Sequence, residues 1–232
     1  MTDTPFSTRL RTASAEHWDA AITHRFVREL SAGTVPPEVM RFYLVQDYQF
    51  IDRFVALLGA AIATADSYAA RLRLSRFLAM ITSDENTYFI RAFDALGVPE
   101  AERVSPPLIP VVREFQALMA EAAETRLYAG ALSVLVVAEW LYLSWAERHE
   151  GPLPPDFIHA EWITLHDNPF FRDFVGWLRQ ELDRAGAALS PAQRAECESL
   201  FQRAVALERG FFDSLYAVAG EPEASPPSTG EG

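Results

Sequence analysis

Lysine is missing from the chain: all 20 basic residues among its 232 are arginine. Without a lysine amine there is no Schiff base, so pyridoxal phosphate and aldolase-type chemistry lack their anchor. The single cysteine, Cys197, forms no internal disulfide and no cysteine-based zinc site, and cytoplasm is the expected compartment. None of the five histidines stands in a Glu-x-x-His or His-Glu-x-x-His pair, so no metal and no other cofactor is expected. Gly59 stands alone rather than in a phosphate-binding loop, and no strand-to-helix serine motif occurs. The longest charge-free apolar stretches, 54–65 and 127–138, are twelve residues each, too short to span a bilayer. The N-terminal residues lack the apolar centre of a signal peptide. Basic charge is also scarce: 32 acidic residues give a net charge of −12, which argues against nucleic acid as a partner.

Apolar side chains are plentiful. Half of the residues are hydrophobic and 12% are aromatic, enough for the sizeable core of one soluble domain. Alternating β-branched runs between tight turns are nearly absent, whereas apolar residues at three- and four-residue spacing recur. The spacing predicts an all-α bundle of about seven or eight helices. They are expected near 14–30, 36–58, 67–96, 111–124, 128–149, 155–166, 169–184 and 190–218. Gly33, Gly97, Gly151 and Gly186 are read as stops, and Ser190 with Gln193 as a capping box. Residues 1–219 form the domain in this reading. Residues 220–232, rich in Pro, Ser, Gly and Glu, are expected to be a disordered tail.

Three carboxylates sit where an apolar face is expected. Asp47 lies four residues after Tyr43 and three before Phe50. Glu139 interrupts the apolar run 132–145, and Glu208 precedes Phe211 and Phe212. Burying an unpaired carboxylate costs roughly several kcal/mol or keeps it protonated, and a raised pKa suits acid–base catalysis near neutral pH. The plain alternative is that each pairs with an arginine or a tyrosine hydroxyl on a mixed face; Arg203 and Arg209 make this strongest for Glu208. Aromatics with polar tips recur on the same helices, at Tyr43, Tyr48, Tyr88, Trp140, Tyr142 and Trp162. They serve equally as core or as the lining for a flat heterocycle. Cys197, between Glu196 and Glu198, is a poor candidate nucleophile, because neighbouring carboxylates raise a thiol's pKa.

Four stretches in order carry a family resemblance: Phe42 to Tyr48, Glu139 to Tyr142, Glu161 to Ile163, and Glu208 to Phe212, with Glu85 to Val98 as a weaker fifth. The chain resembles the TenA / thiaminase II family, whose fold is the all-helical haem-oxygenase-like bundle. The resemblance implies hydrolysis of aminopyrimidines derived from thiamin. It implies that Asp47 binds the pyrimidine edge and that Glu208 is an acid–base group. Substrate contacts are implied at Tyr48, Phe50, Glu85, Phe115, Tyr142, His166 and Phe211. The family's cysteine nucleophile falls at Ala138, so the chain stands nearer the branch that uses glutamate, and Glu139 becomes the second catalytic candidate. Phe50 and His166 replace expected tyrosines, and a polar aromatic near Phe115 is also lacking. The expected partner is a small pyrimidine-like heterocycle, with no membrane, in a homodimer or homotetramer. Three other readings are a non-catalytic or regulatory binder of a small heterocycle, a haem-oxygenase-like oxidase or haem binder using His17 or His24, and a structural helical protein, which predicts no enclosed polar pocket.

Overall fold

The computed structural model describes residues 4–218, so the expected tail lies outside the described residues. These residues form twelve α-helices and one π-helical turn, with no β-strand among them. The helices are α1 (Phe6–Ala13), α2 (Ala15–Ile22), α3 (Arg25–Ala32), α4 (Pro37–Thr64), α5 (Tyr68–Met80), α6 (Asn86–Ala95), α7 (Glu100–Val104), α8 (Pro110–Glu124), α9 (Tyr128–Ala146), α10 (Phe157–His166), α11 (Pro169–Ala187) and α12 (Pro191–Val218). The π turn, Ile81–Glu85, joins α5 to α6 without a break.

Local chemistry sets most boundaries. Gly33 closes α3 with φ at 68°, a left-handed conformation that glycine adopts without penalty. The capping box opens α12: Ser190 N–H donates to Gln193 Oε1 and Gln193 N–H to Ser190 Oγ. Asn168 caps α11 by accepting from Phe171 N–H at 3.0 Å, with Pro169 in the first turn.

Several expected boundaries move. The helix expected at 14–30 is two helices, because the His24 ring accepts from Phe26 N–H and starts α3 anew. α1 and the five-residue α7 are additional, which raises the number of helices above the expected seven or eight. Gly186 is not a stop. It lies inside α11, where a Cβ would stand 2.5 Å from Phe6 Cδ1, so its bare backbone seats the Phe6 ring. Ser7 N–H also donates to Asp183, fixing α1 against α11.

α9 is the axis of the bundle, touching α2, α4, α8, α10, α11 and α12. By length and composition it is apolar enough to cross a membrane, yet 89% of its most apolar window is buried inside the bundle. A helix apolar all round must be enclosed by others, and here four long helices enclose it. A single hydrophobic cluster runs from Phe6 to Tyr216. The site opens where α4, α9, α12 and the π turn meet.

Candidate active site

Four carboxylates face one cavity: Asp47 from α4, Glu85 from the π turn, Glu139 from α9 and Glu208 from α12. Glu85, Glu139 and Glu208 are 8%, 7% and 3% exposed, and Asp47 is partly buried. None of the four has a hydrogen-bond or ion-pair partner among the described residues. The arginines near Glu208 are committed elsewhere. Arg203 grips Glu121 with two bonds of 2.7 Å, and Arg209 lies 3.4 Å from Asp213. The structural alternative, a paired core carboxylate, is thereby removed for Glu208.

The cluster shifts its own titration. Burial lifts the Asp47 carboxyl to about 7. Burial first, and then the charge of Asp47, lifts Glu85 to about 8. Burial drives Glu208 well above the ordinary carboxylate range, with Asp47 adding to it. Glu139 rises for the same reason, with Glu85 and then Glu208 as the adjacent negative charges. Desolvation and like charges both disfavour the ionised form, so the group holds protons at neutral pH and Asp47 ionises most readily.

The π turn explains how Glu85 joins the set. A π turn carries an extra residue and rotates the rest of the helix after it, which places both Ile81 and Glu85 on the lining. Phe50, Phe54 and Phe115 form an apolar wall, with Phe50 edge-on to Phe115 at 4.8 Å. Tyr142, Trp162 and His166 form a second ring cluster on the lining, which Phe211 also joins. His166 Nδ1 donates to the Trp162 carbonyl at 2.8 Å, and burial pulls the ring down to about 4, so it is neutral. Tyr142 is joined to the buried Tyr43 hydroxyl at 3.1 Å, which in turn accepts from Trp162 Nε1–H at 3.1 Å.

All but one of the site residues expected from sequence line this cavity. Tyr48 does not. It lies one residue past Asp47, about 100° round the helix, and its hydroxyl donates to Asn86 at 3.0 Å while its ring packs on Phe89 and Phe93. Ala138 lines the cavity beside Glu139. Cys197 is fully buried on α12, its thiol pushed up chiefly by burial. His24 is engaged at both nitrogens, by Phe26 N–H and by Asp213 at 3.3 Å, and His17 lies against Arg209; neither lines the cavity. Gln46 is a lining residue that the spacing did not single out. Its amide donates to the Pro107 carbonyl and accepts from Ile109 N–H, both at 3.1 Å, pinning the loop before α8. Its position beside Asp47 was the available signal.

An all-helical bundle with an acid-lined, aromatic-walled cavity at its centre defines the class: a small-molecule site built inside a helical core. A model of the TENA/THI-4/PQQC family matches residues 11–217, and the chain belongs to that family. It is 27% identical over 220 residues to the aminopyrimidine aminohydrolase of Bacillus subtilis (strain 168), covering 93% of this chain and 91% of that one. It is 23% identical to the aminopyrimidine aminohydrolase of Halalkalibacterium halodurans over 86% of this chain and 90% of the relative. The fold is similar to a TenA homologue from P. horikoshii OT3, with a TM-score of 0.81, 21% identity, and coverage of 92% of this chain and 99% of that one. A haem-oxygenase-like domain from Shewanella denitrificans OS217 also matches, at a TM-score of 0.60 and 13% identity over 92% of this chain and 93% of the other.

Proposed function

We propose that the protein hydrolyses the C–N bond of an aminopyrimidine breakdown product in thiamin salvage, with carboxylates taking the place of a cysteine nucleophile. The observation that carries this is the convergence of Asp47, Glu85, Glu139 and Glu208, without a cation, on one aromatic-lined cavity. Four carboxyl groups in one desolvated space hold most of their protons at neutral pH, Asp47 alone being about half ionised near pH 7, until a positive charge arrives. A ligand with a protonated amino arm supplies that charge, and each cation admitted lets one carboxyl ionise.

Asp47, the readiest to ionise, accepts the protons of the ring amino group. Phe50, Phe115, Trp162 and Phe211 supply the aromatic surface against which the ring packs. One of Glu139 and Glu208 takes a proton from water as its oxygen bonds to carbon. The other keeps the departing nitrogen protonated, so the C–N bond breaks, a C–O bond forms, and ammonia carries the released proton away. Glu85, adjacent to Glu139 in its electrostatics, keeps that group's proton affinity high.

With alanine at position 138 there is no thiol to form a covalent intermediate, so cleavage of intact thiamin is expected to be weak or absent. Purified protein releasing ammonia from an aminomethyl-substituted aminopyrimidine, and not cleaving thiamin, is the expected result. Failure to turn over any aminopyrimidine by a folded protein overturns the reading. Tight calorimetric binding without product would place the chain among non-catalytic binders, a role that Ala138 favours. The resemblance also supports a cytoplasmic homodimer or homotetramer, which light scattering and fractionation would test.

A further inference from the structure

We infer that Tyr43, which does not reach the cavity, is a positioning residue that aims the hydroxyl proton of Tyr142 at the bound ligand through a one-directional chain from Trp162 to Tyr43 to Tyr142. This deepens the aminohydrolase reading and rests on it for its kinetic readout.

The direction comes from counting protons. An indole N–H donates and cannot accept, so at 3.1 Å Trp162 donates to the Tyr43 oxygen. Tyr43 has no exposed surface, and its other polar neighbour is the Tyr142 hydroxyl, also at 3.1 Å. The single Tyr43 proton therefore goes to the Tyr142 oxygen. Tyr142 is then occupied as an acceptor along the chain, and its own proton has to leave it. No described group accepts that proton, and Tyr142 is the one tyrosine on the lining. The proton points into the cavity.

The rings hold this arrangement still. Tyr43 is packed against Phe26 at 4.4 Å, Phe211 at 5.5 Å and Trp162 at 6.0 Å, and Tyr142 against His166 at 4.8 Å. Burial keeps both hydroxyls protonated, far above their ordinary titration range. Phe50 and Phe115, which also line the cavity, offer no hydroxyl. The chain thus gives the ligand a fixed donor for an acceptor atom, either a ring nitrogen or the oxygen of the attacking water, in a direction set before binding.

A double-mutant cycle on ammonia release from an aminomethyl-substituted aminopyrimidine tests it. Tyr142→Phe is expected to lower kcat about 100-fold and Tyr43→Phe about 10-fold, with KM changed less than about threefold in each. The double variant Tyr43→Phe/Tyr142→Phe should be no slower than Tyr142→Phe. A product of the two losses, about 1000-fold, or an unchanged kcat in Tyr43→Phe, would overturn the inference. If Tyr43→Phe fails to fold because Trp162 N–H is orphaned, the Trp162→Phe background removes that donor too. Trp162→Phe by itself should then lower kcat about 10-fold, and adding Tyr43→Phe should lower it less than about threefold more, because the donor that sets the direction is already gone; a further 10-fold loss would overturn the inference. If the wild type binds this ligand without turning it over, the aminohydrolase reading fails by itself. The same cycle is then read in the calorimetric Kd, where additive losses refute the chain. Absence of both turnover and binding refutes the two together.

Discussion

Asp47→Asn should make the protein more stable at pH 8 than the wild type while abolishing its activity. The Asp47 carboxyl has its pKa lifted from 3.8 to about 7 in the folded state, so the folded chain holds a proton that the unfolded chain releases. That fixes the sign. Below pH 4 both states are protonated and nothing is lost. As the pH rises the unfolded state ionises first, and folding loses stability until the folded group ionises near pH 7. The slope is about 1.4 kcal/mol per pH unit, so between pH 5 and pH 7 the wild type loses at most about 3 kcal/mol through this residue. Asp47 is partly exposed to the cavity, and screening there brings the figure to about 1–2 kcal/mol. Asparagine keeps the shape and titrates nowhere. It also removes the charge that raises Glu85 and Glu208, which adds to the gain. For a chain of this length the gain is a rise of several degrees in Tm. Thermal or urea melts of both proteins at pH 5 and pH 8 measure it. The variant's advantage should grow with pH; an advantage independent of pH, or a variant less stable at pH 8, refutes the reasoning.

Glu139→Gln should lower kcat by about 10²–10³ with unchanged circular dichroism, since it removes a proton carrier and keeps the volume; wild-type rates would remove Glu139 from the reaction. Cys197 should resist a thiol reagent in the native protein and react only on unfolding, because it is fully buried with a raised pKa; fast labelling of folded protein would contradict this. Gly186→Ala should cost about 1–3 kcal/mol in urea melts by pressing on Phe6, with Phe6→Leu in the same chain recovering part of it.

The fold was legible where backbone chemistry leaves a residue-level mark. The Ser190–Gln193 box and the glycine at position 33 place helix ends correctly. Gly186 misleads because a glycine needed for side-chain space looks the same in sequence as one needed for a turn. The carboxylates at 47, 139 and 208 were visible as interruptions of apolar spacing, since a regular helix returns to one face every three or four residues. Tyr48 shows the limit of reading a contiguous motif as one surface: adjacent residues diverge by about 100°. Glu85 shows the opposite limit. Its facing depends on the π turn, and no spacing rule carries across an inserted residue. The Tyr43 to Tyr142 contact joins α4 to α9 across 99 positions, a distance at which periodicity has nothing to say.

The placement of the site inside the core accounts for its chemistry. A carboxylate at the surface stays near its ordinary pKa and is a weak acid catalyst at neutral pH. Raising it requires desolvation, and desolvation requires apolar walls on every side. The cavity's aromatics supply them, with Phe50, Phe54 and Phe115 among them, and α9 carries Glu139 into that space from a buried set that includes Leu132, Val134, Leu135, Val136, Val137 and Leu141. Each such side chain contributes about 1.5–3 kcal/mol on burial, which offsets the several kcal/mol that an unpaired carboxyl costs. The excess apolarity of α9 and the misplaced acid on it are therefore one feature. Replacing Glu139 with leucine would complete an ordinary core helix and raise stability, and the same change would leave the cavity without the group that its walls are arranged to perturb.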